Sequence, residues 1–317
     1  MIRTSLVAAL GLLAVPALAQ DFPLTIDHKF GEAVIDEAPE RVASLDFSGA
    51  DDLLALGVQP VALRHWYGDF EGALWPWAAP ALTGDPVVLR GEIDYEKVAA
   101  SNPDVILALW SGITEADYEQ LSRIAPVVAV PEGVGDYELP WDDRARIAGR
   151  AVGREDEAEA QIAAIEDRLA ATADAHPDWD GRTASVAYAL SGTPGAYTSA
   201  DIRPQLLAQL GFETPPAIDA AASAGNAFAV TLSEEALSTL DADVILWIST
   251  DGDFAPVEAL VTRRFLGATK GGHEVFAGPL LSGALSHASL LSLPYALDLL
   301  VPALEAAMAG DGPVVTE

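Results

Sequence analysis

The chain has no cysteine among its 317 residues. Disulfides are excluded, so the fold rests on its apolar core, and so is a lipid-modified cysteine behind an export signal. Positive charge is scarce: 17 Lys and Arg face 48 Asp and Glu, a formal net charge of −31. The acidity runs through both halves, with no acidic tail. It argues against nucleic acid and anionic membrane surfaces, whose charges would repel it, and it fits solubility or salt adaptation. The five histidines (His28, His65, His176, His273, His287) are scattered, with no close pair for a zinc or manganese site. His287 in "LSHASLL" can be read as a ligand contact or as a structural histidine. Beyond the N-terminus no apolar run reaches the ~20 residues of a membrane span. Gly-x-Ser-x-Gly, a phosphate loop and a glycine-rich dinucleotide turn are all missing. Asp251 and Asp253 in "STDGDF" imitate the start of a calcium loop whose remaining spacing fails. No residue pattern performs chemistry, so an exported α/β hydrolase is a poor alternative.

Residues 1–19 read as an export signal: Arg3, the apolar "SLVAALGLLAVPALA", and a small-x-small cleavage site at Ala17–Ala19. The expectation is a soluble periplasmic protein beginning at Gln20, with no membrane insertion.

The remainder alternates strand and helix patterns. "FPLTIDHKFGEAVIDEAPE" is hairpin-like. "RVASLDF", "PVALR", Pro86–Leu89, "DVILAL" and "PVVAV" read as strands, with helices at Ser48–Leu56, Tyr95–Ala100 and Glu115–Ile124. The second half begins alike, with the strand "TASVAYAL" and the helix "DIRPQLLAQLG". "SEEALSTL" (helix), "DVILWI" (strand), a helix near Pro256–Arg263, the strand "HEVFAG" and a helix within Leu290–Met308 follow. One phrase recurs: "DYEKVAASNPDVILAL" and "LSEEALSTLDADVILWI" align Glu96 with Glu235 and Asp104 with Asp243. Between the halves, Ala158, Ile162, Ile165, Leu169 and Ala173 form a narrow helical stripe on a charged surface, ended by Pro177. Such a helix spans ~30 Å, enough to bridge two lobes. The expected fold class is α/β: two similar Rossmann-like lobes with mainly parallel sheets (20–154 and 177–317), joined by a single long helix (155–176).

In such sheets ligands bind beyond the carboxyl ends of the strands. That rule selects the loop "RHWYGDFEGALWPW", with Trp66, Tyr67, Phe70, Trp75 and Trp77. It also selects Trp110 after "DVILAL", Tyr197 in the loop after "TASVAYAL", and Phe276 by "HEVFAG". An aromatic groove suits a large ligand with flat or alkyl surfaces. Trp247, inside "DVILWI", reads as core. Arg64 and Arg203 lie near strand ends and can meet an oxygen-rich ligand.

The phrases "HKFGEAVIDEAPERVASLDFSGADDLLALGVQPVAL", "LRGEIDYEKVAASNPDVILAL" and "LSRIAPVV", with the two-lobe plan, resemble the iron–siderophore branch of the helix-linked periplasmic binding proteins of ABC importers. The resemblance implies a monomer that binds a ferric siderophore between its lobes, iron arriving already wrapped in its chelator, with no cofactor of its own. It implies delivery to a dimeric inner-membrane ABC permease, which Glu96 and Glu235 would meet, one per lobe. It places Arg90 on the chelate oxygens and Phe228 on an aromatic wall of the second lobe. Haem and cobalamin use the same architecture and stay open as alternatives. So does the siderophore class: hydroxamate, catecholate or citrate type.

Overall fold

A computed structural model of the chain describes residues 22–223 and 226–317. The export signal read at residues 1–19 lies outside the described residues.

An antiparallel hairpin of β1 (Leu24–His28) and β2 (Gly31–Ile35) comes first, its residues alternating between buried and exposed. Then β3 (Val42–Ser44), β4 (Pro60–His65), β5 (Val87–Arg90), β6 (Val105–Ala108) and β7 (Val127–Ala129) form a parallel sheet in the order β5-β4-β3-β6-β7. A parallel sheet is covered on both faces, so its strands are apolar apart from Ser44, Arg64, His65 and Arg90 at their carboxyl ends. Successive side chains go to opposite faces. Val105 and Leu107 enter an apolar cluster that runs through both lobes, while Ile106 and Ala108 enter a smaller one on the other face.

The second sheet orders β10 (Ala229–Thr231), β9 (Thr193–Tyr197), β8 (Ala184–Leu190), β11 (Val244–Ile248), β12 (Glu274–Ala277) and β13 (Val314–Val315) as β10-β9-β8-β11-β12-β13. From β8 to β13 it is parallel; β9 and β10 join antiparallel. Here the sequence reading needs a correction, because Tyr197 sits on a strand and not in a loop. Leu190 pairs with Thr193 across Ser191 (φ 51°) and Gly192 (φ 80°), and two successive positive φ values make the tight turn that a right-twisted hairpin favours.

The recurring phrase is one structural unit built twice. Val244 and Leu246 enter the large cluster and Ile245 and Trp247 a separate one, the same alternation as at 105–108. The repeated aspartates have a shared task at the foot of each sheet. Asp104 Oδ2 accepts the N–H groups of Glu40 and Arg41 at 2.9 Å, just before β3. Asp243 Oδ2 accepts the N–H of Thr183 at 2.8 Å, just before β8. Burial opposes the Asp243 charge, but the hydrogen bonds from Thr183 and Arg182 outweigh it and hold the carboxyl below its usual range.

The helix Glu155–Ala175 presents Ala158, Ile162, Ile165 and Leu169 to the large cluster. It touches both lobes: Gln161 donates to the Ala55 carbonyl at 2.8 Å, and Arg168 to Asp298 at 2.6 Å. Another helix, Pro279–His287, has no counterpart in the sequence reading. It is buried nearly all round and so lacks the polar face that betrays a surface helix.

Candidate ligand-binding site

The order of the first sheet reverses direction between β3 and β6, and a crevice opens beyond the carboxyl ends of strands at such a point. Phe47 and Trp110 stand just past these two strands. Their backbones are tied together, Phe47 N–H to Trp110 O at 3.0 Å and Trp110 N–H to Asp46 Oδ1 at 2.7 Å. Burial pushes the Asp46 carboxyl up to about 6. Trp66, immediately beyond β4, crosses Trp110 edge-on at 5.3 Å and lies 5.6 Å from Phe47, with Tyr137 a further 6.1 Å away. These four rings form one wall of a cavity of about 360 Å³. The second lobe closes it with Asp201, Ile202, Arg203, Phe228 and Ser286.

Arg203 is held from three directions. Its Nη1 meets both Asp201 oxygens at 3.0 and 2.9 Å, Nη2 donates to Ser286 Oγ at 2.8 Å, and the guanidinium lies 4.1 Å over the Tyr197 ring. Its Nε is buried with no partner among the described residues. Beyond Tyr197 a second cavity of about 510 Å³ opens at the carboxyl ends of β8 and β11, with Tyr188, Leu190, Ser249, Asp251 and Asp253 in its lining. This is the corresponding direction switch of the second sheet.

The structure thus gathers Trp66, Trp110, Arg203 and Phe228 at one cavity and puts Tyr197, under Arg203, in the lining of the other. Arg64 stands beside them, its guanidinium 4.2 Å over Phe47 and Nη1 donating to Ser111 O at 2.9 Å. Burial lowers its pKa. Tyr67 lies beneath Trp66 at 4.6 Å, largely buried.

Two of the expected residues lie away from these cavities. Phe276 is 3% exposed, stacked on Phe254 at 4.7 Å in the outer core of the second lobe. It sits inside β12, on the same face as Trp247, so the strand's parity carries it away from the groove. Arg90 ends the edge strand β5, exposed and outside both cavity linings. Trp75 and Trp77 are also core: they stack at 4.9 Å and, with Trp66 and Tyr67, surround the buried His287. Burial depresses that imidazole to about 3, and its Nδ1 bonds Gly283 O at 2.9 Å, so His287 is structural.

Sequence reasoning missed Phe47, Tyr137, Asp201 and Ser286. Phe47 was within reach, since it follows β3 at the switch point. Tyr137 comes from a long loop and Ser286 from the unread helix, and nothing in the sequence brings either to the groove.

Glu96 and Glu235 are both exposed, each in the first turn of a short helical segment that follows the edge strand of its sheet, β5 or β10. Neither is in the lining of these two cavities. The neighbouring Glu234 is engaged, accepting from Thr262 N–H at 3.1 Å. Among the described residues no group of three or more His, Asp or Glu is placed to hold a metal ion.

Residues 42–265 match the family model described as "Periplasmic binding protein". The probable siderophore-binding lipoprotein YfiY of Bacillus subtilis is 30% identical over 240 residues, covering 73% of this chain and 70% of that one. Among solved structures, a periplasmic solute-binding protein of Mycobacterium smegmatis aligns with a TM-score of 0.77 at 33% identity, over 90% of this chain and 98% of that one. PiaA of Streptococcus pneumoniae in complex with ferrichrome aligns at 0.73 and 29% identity, over 90% and 99% of the two chains.

Proposed function

The chain belongs to this family of periplasmic binding proteins, and from that premise we propose that it carries a ferric siderophore in the groove between its lobes to an inner-membrane ABC permease. The observation that carries this reading is the cavity walled by Phe47, Trp66, Trp110 and Tyr137 on one side and Phe228 and Arg203 on the other. Flat rings bury the organic shell of a chelate, and a few polar groups orient it. The iron is cargo and needs no ligand from the protein. The protein binds and releases, without chemistry of its own. One apolar cluster through both lobes and a single stiff bridging helix favour modest lobe motion over wide closure.

In this reading the protein is exported with cleavage after Ala19 and works in the periplasm as a monomer. At the permease, Glu96 and Glu235 present equivalent charges to a two-fold symmetric partner. Native mass spectrometry of the purified protein offered ferric hydroxamates, ferric catecholates, ferric citrate, haem and cobalamin tests the reading. One ferric chelate bound per chain is expected. Exclusive binding of haem or cobalamin would replace the siderophore with that ligand.

A further inference from the structure

The groove has little positive charge to spare. Arg203 is neutralised where it stands: its Nη1 contacts both oxygens of Asp201, and both side chains are only 11% exposed. Across the two cavity linings one arginine faces three aspartates, namely Asp201, Asp251 and Asp253. Arg64, beside Phe47, narrows the deficit to one. Asp117, Asp46 and Glu92 are the carboxylates that act on Arg64, so even that cation is partly compensated. His287, beneath Trp66, is buried and neutral and adds no charge. At longer range the whole protein is anionic.

The chelate classes differ in this respect. Three hydroxamates, each losing one proton, neutralise Fe³⁺ and leave an uncharged complex, or a cationic one if the backbone carries an amine. Three catecholates, each losing two protons, leave a trianion, and citrate-type chelates are also anionic. A multiply charged anion loses its hydration on entering a groove and needs cations there to replace it. An uncharged chelate needs chiefly apolar walls, which the aromatic rings provide.

Resting on the siderophore reading, we propose that this groove selects ferric hydroxamates over anionic chelates, and that Asp201 sets the preference by cancelling the charge of Arg203. Asp201 also caps the helix Ile202–Gln209, its Oδ1 accepting Arg203 N–H at 2.9 Å. Asparagine caps equally well, so Asp201→Asn removes the charge and keeps the cap.

The test is calorimetric titration of the mature protein with ferrichrome (uncharged), ferrioxamine B (cationic), ferric enterobactin (trianionic) and ferric dicitrate (anionic). The hydroxamates should bind at least about tenfold more tightly than either anion, and Asp201→Asn should raise the anionic-to-uncharged affinity ratio by about tenfold or more. Asp201→Glu should preserve the original ratio. An anionic chelate that binds the unaltered protein as tightly as ferrichrome would overturn the selectivity while leaving the siderophore reading intact. An unchanged ratio in Asp201→Asn would overturn the role of Asp201. Failure of all four chelates to bind would remove the siderophore reading itself, and the inference with it.

Discussion

Immediately after the recurring phrase, Trp110 and Ser249 fall at the same place, just beyond the carboxyl end of the matching strand in each lobe. Behind them the lobes agree closely: the same alternation of apolar residues, and the same aspartate pinning the start of the neighbouring strand. In front of them the lobes part. Trp110 joins a wall of rings, whereas the Ser249 hydroxyl donates to Asp251 at 2.9 Å in a polar loop. The repeated framework is a scaffold, and recognition is written in the loops mounted on it.

The same division appears at the buried junction of the lobes. The first lobe contributes charge and the second mostly backbone groups and hydroxyls. Arg144, fully buried, bonds Asp52 at 3.0 Å and reaches across to the carbonyls of His287 and Ala288 at 3.0 and 2.7 Å. Asp52 accepts the Leu290 N–H at 2.9 Å. Asp51 accepts from Ser289 Oγ at 2.8 Å and Trp77 Nε1 at 2.7 Å. Arg144→Ala breaks this asymmetry most severely, leaving Asp52 buried without a counter-charge. A loss of about 3–5 kcal/mol is expected in urea unfolding. A loss below about 1 kcal/mol would show that water readily replaces the guanidinium.

A subtler effect concerns pH. Burial pushes Asp51 up to about 7, so the folded state holds its proton more tightly than the unfolded chain does. This group therefore contributes stability that is present in acid and lost as pH rises from about 4 to about 7. His287, held neutral, acts oppositely: its contribution is lost as pH falls through its ordinary value toward about 3. Comparing Asp51→Asn with the unaltered protein cancels the histidine term. The amide variant should gain stability relative to the parent between pH 5 and pH 8, measured by denaturant midpoints. A difference independent of pH would mean that Asp51 stays charged throughout.

Much of this plan is legible in the sequence, since strand parity and helix stripes are local. The bridging stripe, the doubled strand and the groove positions of Trp66 and Trp110 follow from spacing and from the strand-end rule. The misreadings come from features that spacing does not encode. Phe276 and Phe47 are both aromatic and both near a strand end; one more residue of strand puts the first in the core, while an earlier strand end leaves the second at the groove. The 191–192 turn was missed because serine at positive φ is an uncommon signal. The Asp201–Arg203 pair was visible as neighbours, but its packing against Ser286 depends on a helix from 83 residues further along.

The smallest expected change in stability separates the lobes' outer faces from their inner ones. Reversing Glu96 and Glu235 to arginine should shift the thermal midpoint little, corresponding to under about 0.5 kcal/mol for exposed sites. Uptake through the cognate permease should fall sharply, because mismatching a desolvated interfacial charge costs about 2–5 kcal/mol. Normal uptake by the double variant would reduce the two glutamates to ordinary helix-start residues.

The groove between an aromatic and a polar lobe is tested most directly by tryptophan-fluorescence titration with the ferric chelate that binds in native mass spectrometry. Saturation at one chelate per chain with quenching is predicted. Trp66→Ala should weaken binding by about 10–100-fold, as loss of a central aromatic anchor does, whereas Arg90→Ala should change it by less than about threefold. Undiminished affinity in Trp66→Ala, or a loss in Arg90→Ala as large as that expected for Trp66, would place the ligand elsewhere and contradict the account.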